Sequence, residues 1–104
     1  MMKIGEDASG SAVSVTVGDS FEIALGEVRT AGFQWCFAKE GDPVCELLSE
    51  STDAPAGAAG GSGTHHWQFR VAQAGEAEIV FHHRRPWETD AEPGRVFQLK
   101  VRAK

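Results

Sequence analysis

The sequence predicts an all-β protein, because its hydrophobic residues alternate with polar ones along six separate segments. A period of two places every second side chain on the same face of a strand, so each segment has one apolar and one mostly polar face. The six apolar sets are Val13, Val15 and Val17; Phe21, Ile23 and Leu25; Phe33, Trp35 and Phe37; Trp67, Phe69 and Val71; Ala77, Ile79 and Phe81; and Phe97, Leu99 and Val101. No segment has the periodicity of an amphipathic helix.

Turn sequences separate these segments, as expected for short strands that follow one another. They are Gly18-Asp19, Gly41-Asp42-Pro43, Ala74-Gly75 and Glu92-Pro93-Gly94. Val44 to Leu48 is a further candidate strand, in which Cys45 and Leu47 share a face. Strands with a single apolar face pack as two sheets around one core. The sequence therefore predicts an immunoglobulin-like antiparallel β-sandwich of about seven to eight strands, with Trp35 and Trp67 in its core.

The chain of 104 residues has the length of one domain. We assign residues 1–10 to an N-terminal tail and residues 11–104 to the sandwich. The net charge of −5 argues against nucleic acid as the main partner, and no apolar stretch approaches the ~20 residues of a membrane span. The N-terminal residues lack the hydrophobic segment of a signal peptide. We therefore expect a monomer that is either cytoplasmic or the mature form of an exported protein.

The two cysteines, Cys36 and Cys45, flank a predicted turn at residues 39–43. A symmetric hairpin centred on this turn would place them nearly opposite each other, which would permit one disulfide. Two buried free thiols are the alternative. The sequence leaves both open.

Four histidines, in the pairs His65-His66 and His82-His83, are the other residues with catalytic or metal-binding chemistry. Adjacent residues of a strand point to opposite faces, so neither pair is suited to hold one metal ion with both rings. A Cys–His nucleophile pair lacks support in the local sequence. We expect solvated strand histidines, no catalytic residues, no metal and no cofactor.

Three connections do not follow the strand pattern: residues 27–32, 51–64 and 84–94. The second contains Gly60, Gly61 and Gly63, whose backbone could approach a partner closely or could belong to a flexible linker. The third contains Trp87, which either packs back onto the sandwich or projects as a binding anchor. Arg85 in the same connection could bind a partner or pair with Glu88, Asp90 or Glu92.

The three connections resemble the loops of the chagasin family. Thr30-Ala31-Gly32-Phe33-Gln34-Trp35 resembles that family's Asn-Pro-Thr-Thr-Gly-aromatic-x-Trp signature, and Gly60-Gly61-Ser62-Gly63-Thr64 resembles its Gly-rich second loop. Arg85-Pro86-Trp87 matches its Arg-Pro-Trp loop. The motifs occur in the family's order, and the resemblance covers about residues 11 to 102.

The resemblance implies a reversible, non-covalent inhibitor of papain-like cysteine peptidases that fills the active-site cleft with three loops. Thr30 would lie beside the catalytic centre of the peptidase, Gly60 to Gly63 would extend along the cleft, and Arg85 and Trp87 would press on the prime-side wall. The implied peptidase-binding residues are Arg29, Thr30, Ala31, Gly32, Gly60, Gly61, Ser62, Gly63, Arg85, Pro86 and Trp87.

The first loop departs from the family pattern. The chain has Val28-Arg29 where the family has Asn-Pro, and Ala31 where the family has its second Thr. Loss of the proline removes a fixed φ angle, and loss of the hydroxyl removes a hydrogen-bonding group. The alternative function is therefore an immunoglobulin-like interaction module without peptidase-inhibitory activity.

Overall fold

The computed structural model describes residues 2–28, 34–53, 62–88 and 94–104. Within these residues the chain forms eight strands and one short 3₁₀ turn, Glu6–Ala8. The strands are β1 (Met2–Ile4), β2 (Ser11–Val15), β3 (Ser20–Val28), β4 (Gln34–Glu40), β5 (Cys45–Asp53), β6 (Ser62–Val71), β7 (Gly75–Arg84) and β8 (Arg95–Ala103). Each of the six alternating segments corresponds to a strand, so the all-β prediction is confirmed.

The strands form two four-stranded sheets that pack face to face. The first sheet has the order β1-β3-β6-β5 and the second has the order β2-β8-β7-β4. The sandwich prediction is confirmed, but both sheets are mixed rather than antiparallel. β1 pairs with β3 and β2 pairs with β8 in parallel, because the N-terminal segment adds one edge strand to each sheet while running in the direction of its neighbour.

The segment assigned to an N-terminal tail contributes to both sheets. Met2–Ile4 pairs with β3, and the side chain of Ile4 is only 5% exposed in the core. The backbone N–H of Gly10 donates to the carbonyl of Gln98 at 2.7 Å, which brings the chain onto the second sheet where β2 begins. Residues 2–10 are thus part of the sandwich as the structure describes it.

Aromatic rings fill the space between the sheets. The ring of Trp67 lies 4.2 Å from that of Phe81 and 6.3 Å from that of Phe37, so that β6 of one sheet contacts β7 and β4 of the other. Phe21 and Phe69 stack at 5.3 Å within the first sheet. Burial of each such side chain contributes roughly 1.5–3 kcal/mol to folding. Trp67 is 2% exposed, and Trp35 is also buried, which confirms the prediction that both lie in the core.

Two strand predictions differ from the structure at their ends. Val17 lies in the turn after β2 and is exposed, because the Asp19 carboxylate accepts the N–H of Thr16 and turns the chain there. β5 continues to Asp53, because its last residues pair with β6, and the predicted long connection over residues 51–64 is shorter at both ends.

The two cysteines are both free, and the connection between them is not a hairpin. β4 pairs with β7 and β5 pairs with β6, so residues 41–44 cross from the second sheet to the first. Cys45 is buried in the core, and this burial raises the pKa of its thiol to about 11. Cys36 is half-buried on β4.

We expect a thiol-alkylating reagent at neutral pH to modify Cys36 while the native fold protects Cys45. The thiolate is the reactive form, and burial disfavours it at Cys45. Mass spectrometry of alkylated peptides checks the selectivity, with urea-unfolded protein as the control in which both thiols react. Equal labelling of Cys36 and Cys45 in the native protein would contradict the burial of Cys45.

The buried thiol also affects stability at high pH. Because the pKa of Cys45 is raised in the folded state, the free energy of unfolding should fall as pH rises above the ordinary thiol pKa toward about 11.

Gly41 occupies a position in the crossing that other residues fit poorly. Its φ is +80°, and a Cβ atom there would lie 2.8 Å from Cγ1 of Ile79. Its carbonyl accepts the N–H of Cys45 at 2.8 Å, which starts β5. Gly18 has a similar φ of +96°, but nothing lies within 4 Å of its Cβ position.

Alanine substitutions at Gly18 and Gly41 separate the free-energy cost of backbone strain from that of steric clash. Gly18→Ala should cost about 1–2 kcal/mol for the positive φ alone, and Gly41→Ala should cost about 2–4 kcal/mol because overpacking adds to that strain. Urea denaturation of the two variants and the parent protein measures both values. Equal costs at the two positions would show that the core around Ile79 adapts without penalty.

Candidate functional site

The strand directions bring the three candidate loops to one end of the sandwich. β3, β5 and β7 run toward this end, while β4, β6 and β8 begin there. We call it the loop end and define it by the terminal strand residues Val28, Gln34, Asp53, Ser62, Arg84 and Arg95. Val28 pairs with Ser62 in the first sheet, and Gln34 pairs with Arg84 in the second. The flanks of all three loops therefore lie together.

Side chains join the two sheets at the loop end. Nε1 of Trp35 on β4 donates to the carbonyl of Gly26 on β3 at 2.9 Å. The Trp35 ring lies 5.0 Å from the ring of His83 on β7. The guanidinium of Arg95 lies over the Trp35 ring, 5.1 Å from its centre. These contacts fix where β3 ends relative to β4, β7 and β8.

The third loop begins with a turn over residues 85–88. The N–H of Glu88 donates to the carbonyl of Arg85 at 3.0 Å, and Pro86 occupies the second position, where its fixed φ suits a turn. The Arg85 guanidinium pairs with the Glu88 carboxylate at 2.8 Å. Arg84 donates from Nη1 to the carbonyls of Arg85 and Pro86 at 3.2 and 3.0 Å. The turn is thus restrained by the Arg85–Glu88 contacts and by the two hydrogen bonds that Arg84 donates to its carbonyls.

Trp87 projects from this turn with 69% of its surface exposed. Of the two alternatives for this residue, packing back onto the sandwich is wrong. The alternatives for Arg85 included an internal ion pair, and the structure contains the pair with Glu88. A large exposed aromatic side chain on a restrained turn is typical of residues that anchor protein–protein interfaces.

The described part of the second loop continues the first sheet. Ser62 and Gly63 are the first residues of β6 and pair with Val28 and Glu27 of β3. These two residues are extended because they are paired in the sheet. Gly60 and Gly61 lie outside the described residues, as do the first-loop positions Arg29, Thr30, Ala31 and Gly32.

The prediction that the histidines are solvated is wrong for His65. The prediction that adjacent histidines face opposite sides of a strand is correct for His65 and His66. His65 and His66 face opposite sides of β6, but His65 is only 8% exposed and stacks on Trp67 at 4.0 Å. The alternation with Trp67 was the signal for this burial. On the outer face, Nδ1 of His66 lies 3.2 Å from Oε2 of Glu22 and its Nε2 lies 2.9 Å from Oδ2 of Asp53. His66 therefore ties the end of β5 to β3.

Among the described residues, no three His, Cys, Asp or Glu side chains are grouped so that they could hold a metal ion. The same residues contain no helix of the length and apolarity that crossing a membrane requires. The fold and the loop end together define an immunoglobulin-like sandwich with the flanks of its three candidate loops at one end.

The comparison with protein families assigns this domain. Residues 14–101 match the family model described as the chagasin family peptidase inhibitor I42. The chain belongs to the chagasin family of peptidase inhibitors. The family resemblance expected from the three motifs is confirmed, and so is the expectation of an inhibitor rather than an enzyme.

Individual relatives agree with this assignment over nearly the whole chain. Amoebiasin-1 of Entamoeba histolytica is 32% identical, with 96% of this chain and 97% of the relative covered. Chagasin of Trypanosoma cruzi is 27% identical, with 97% and 96% covered. The crystal structure of the cysteine protease inhibitor EhICP2 from Entamoeba histolytica superposes with a TM-score of 0.85 at 18% identity, covering 99% of this chain and 94% of that one.

Substitution of Trp87 and of Trp67 should separate a binding role from a packing role. Trp87→Ala should change the free energy of unfolding by less than about 0.5 kcal/mol, because the ring is exposed, whereas Trp67→Ala should cost about 3–5 kcal/mol. Urea denaturation followed by circular dichroism measures both. A loss above about 1 kcal/mol for Trp87→Ala would indicate that the ring packs on the domain.

Proposed function

We propose that this protein is a reversible, non-covalent inhibitor of papain-like cysteine peptidases, and that its loop end occludes the active-site cleft of the peptidase. The observation that carries the proposal is that the exposed Trp87 follows the end of β7 at the loop end, where the flanks of the other two candidate loops also lie. A cleft that binds extended peptides could receive these three elements at once. EhICP2, which has the same fold, is a cysteine protease inhibitor, and this supports the same class of target.

The bracing of the third loop supports tight binding. Docking a mobile side chain costs conformational entropy, and a preformed turn has already met much of that cost on folding. Pro86 and the Arg85–Glu88 pair restrict the turn before any partner arrives. Trp87 can then bury most of its ring against a partner, and Trp is among the residue types most enriched at interface hot spots.

The backbone of the second loop supports binding along the cleft. Ser62 and Gly63 pair with β3 as an extended strand where the loop joins the sheet, and extended segments bind clefts through main-chain hydrogen bonds. Gly63 has no side chain to hold a partner away from that backbone. Because both flanks of the loop are paired in the sheet, the loop enters the cleft as part of a folded domain.

A second candidate function is an immunoglobulin-like interaction module that does not inhibit peptidases. The observation in its favour is the sequence Val28-Arg29-Thr30-Ala31, which departs from the family signature. The two functions differ in one measurement, because full papain activity at micromolar concentrations of the protein would favour the second.

Titration of papain with the pure protein should show complete, reversible inhibition by a monomer in a one-to-one complex, without cleavage of the inhibitor. Trp87→Ala should weaken binding by about 2 kcal/mol or more, which corresponds to roughly a 30-fold rise in the inhibition constant. Val17→Ala is the matched control, because Val17 is an exposed apolar residue at the opposite end of the sandwich. Equal inhibition constants for Trp87→Ala and the parent protein would contradict the proposed anchor role.

A further inference from the structure

Glu6 uses both oxygens of its carboxylate to contact two different strands. Oε1 accepts the backbone N–H of Gly26 on β3 at 3.0 Å. Oε2 forms an ion pair with Nη2 of Arg95, the first residue of β8. Glu6 itself lies in the 3₁₀ turn between β1 and β2, so a single side chain links the N-terminal segment to both sheets.

Two further contacts close a ring around this carboxylate. The carbonyl of Gly26 accepts Nε1 of Trp35 at 2.9 Å, and the guanidinium of Arg95 lies 5.1 Å from the centre of the Trp35 ring. Both backbone polar groups of Gly26 are therefore held by side chains from other elements. We call Glu6, Gly26, Trp35 and Arg95 the Glu6 clamp.

The Glu6 clamp lies at the base of two of the candidate loops. Gly26 precedes the end of β3 at Val28, and Trp35 follows the start of β4 at Gln34, so the clamp holds both flanks of the first loop. Arg95 begins β8 and therefore holds the far flank of the third loop. β1 pairs with residues 21–23 of β3, and at Gly26 the Glu6 side chain takes the place of a neighbouring strand.

We propose that Glu6 is a positioning residue for peptidase binding, which acts by holding the flanks of the first and third loops in their binding arrangement. The inference rests on the proposed function of the loop end. Exposed ion pairs contribute little to folding. The main effect of the clamp is therefore on where the loops start and end, since flanks that are already ordered lose less entropy when the loops dock.

Inhibition of papain by Glu6 variants tests the proposal, at a temperature well below their unfolding midpoints. Glu6→Ala removes both contacts and should raise the inhibition constant about 10-fold. Glu6→Gln keeps an oxygen for the Gly26 N–H but loses the charge that faces Arg95, so the rise should be about 3-fold. Asp7→Asn is the matched control in the same 3₁₀ turn and should change the constant by less than about 2-fold.

A double-mutant cycle and an NMR measurement separate positioning from general destabilisation. In the inhibition assay, Glu6→Ala and Arg95→Ala should together cost less binding free energy than the sum of their separate effects, because they remove the same pair.

In ¹⁵N-correlated spectra, Glu6→Ala should shift the Gly26 amide and the Trp35 indole N–H together with backbone amides of residues 29–33. The amides of the opposite end, such as Gly18 and Gly75, should stay in place.

The outcomes that overturn the proposal are distinct from those that overturn the proposed function. A parent protein that leaves papain fully active overturns both. A parent protein that inhibits, together with Glu6→Ala that inhibits equally well, overturns the positioning role alone. If Glu6→Ala weakens inhibition only in proportion to a loss of folded protein, or shifts amides throughout the sandwich, Glu6 is a structural residue and the proposal is wrong.

Discussion

The packing of aromatic rings between the two sheets is the constraint on which the loop end depends. Trp67 on β6 contacts Phe81 on β7 and Phe37 on the edge strand β4, so these three strands are fixed against one another across the two sheets. The ends of these strands are the flanks of the second, third and first loops. If the sheets could slide, the three loops would not share one end. A close-packed interior resists such movement, because each displaced ring loses many contacts at once.

The two ends of the sandwich are closed by different means. At the end opposite the loops, backbone hydrogen bonds join short turns to strands: Gly18 donates to the carbonyl of Val71 at 2.9 Å, and Val71 donates to the carbonyl of Asp19 at 2.8 Å. At the loop end, the Trp35–Gly26 bond and the Arg84 contacts with the turn add side-chain links to the backbone bond between Gly94 and His83. The flanks of the candidate loops are therefore held by contacts with neighbouring strands.

Local periodicity made the strands and their inner faces predictable, because a period of two depends only on neighbouring residues. Phe21, Ile23 and Leu25 alternate with Glu22 and Ala24, and all three large side chains are fully buried. The partners of each strand are set by contacts far apart in sequence, such as Ser11 with Leu99, and no local pattern contains them. The parallel pairings of β1 with β3 and of β2 with β8 were missed for this reason. The pairing of β1 with β3 also places Ile4 in the core, and β1 is too short a strand to show alternation in the sequence.

The candidate site was predictable to the extent that its residues are adjacent in the chain. Arg85-Pro86-Trp87 is a continuous motif whose turn is built from its own residues and their neighbours, and its exposed tryptophan follows from that local structure. Glu6 and Arg95 are separated by 89 positions, so their pairing depends on the folded sandwich. The burial of His65 lies between these cases. Its polarity suggested solvent, whereas its alternation with Trp67 placed it on the inner face.

The first and third loops differ in where their restraint originates. In the third loop, Pro86 fixes one φ angle and the Arg85–Glu88 pair closes the turn, so the stiffness is internal. The first loop has Arg29 where the family pattern has a proline, and this source of stiffness is absent from its sequence. The restraint that the structure provides lies instead at its flanks, where Gly26 and Trp35 are joined to each other and to Arg95 and Glu6. Ordered flanks lower the entropy that docking costs, since loop entropy depends on how the ends of a loop are held. The departure from the family signature and the side-chain ring at the base of the loop thus have opposite effects on the cost of docking.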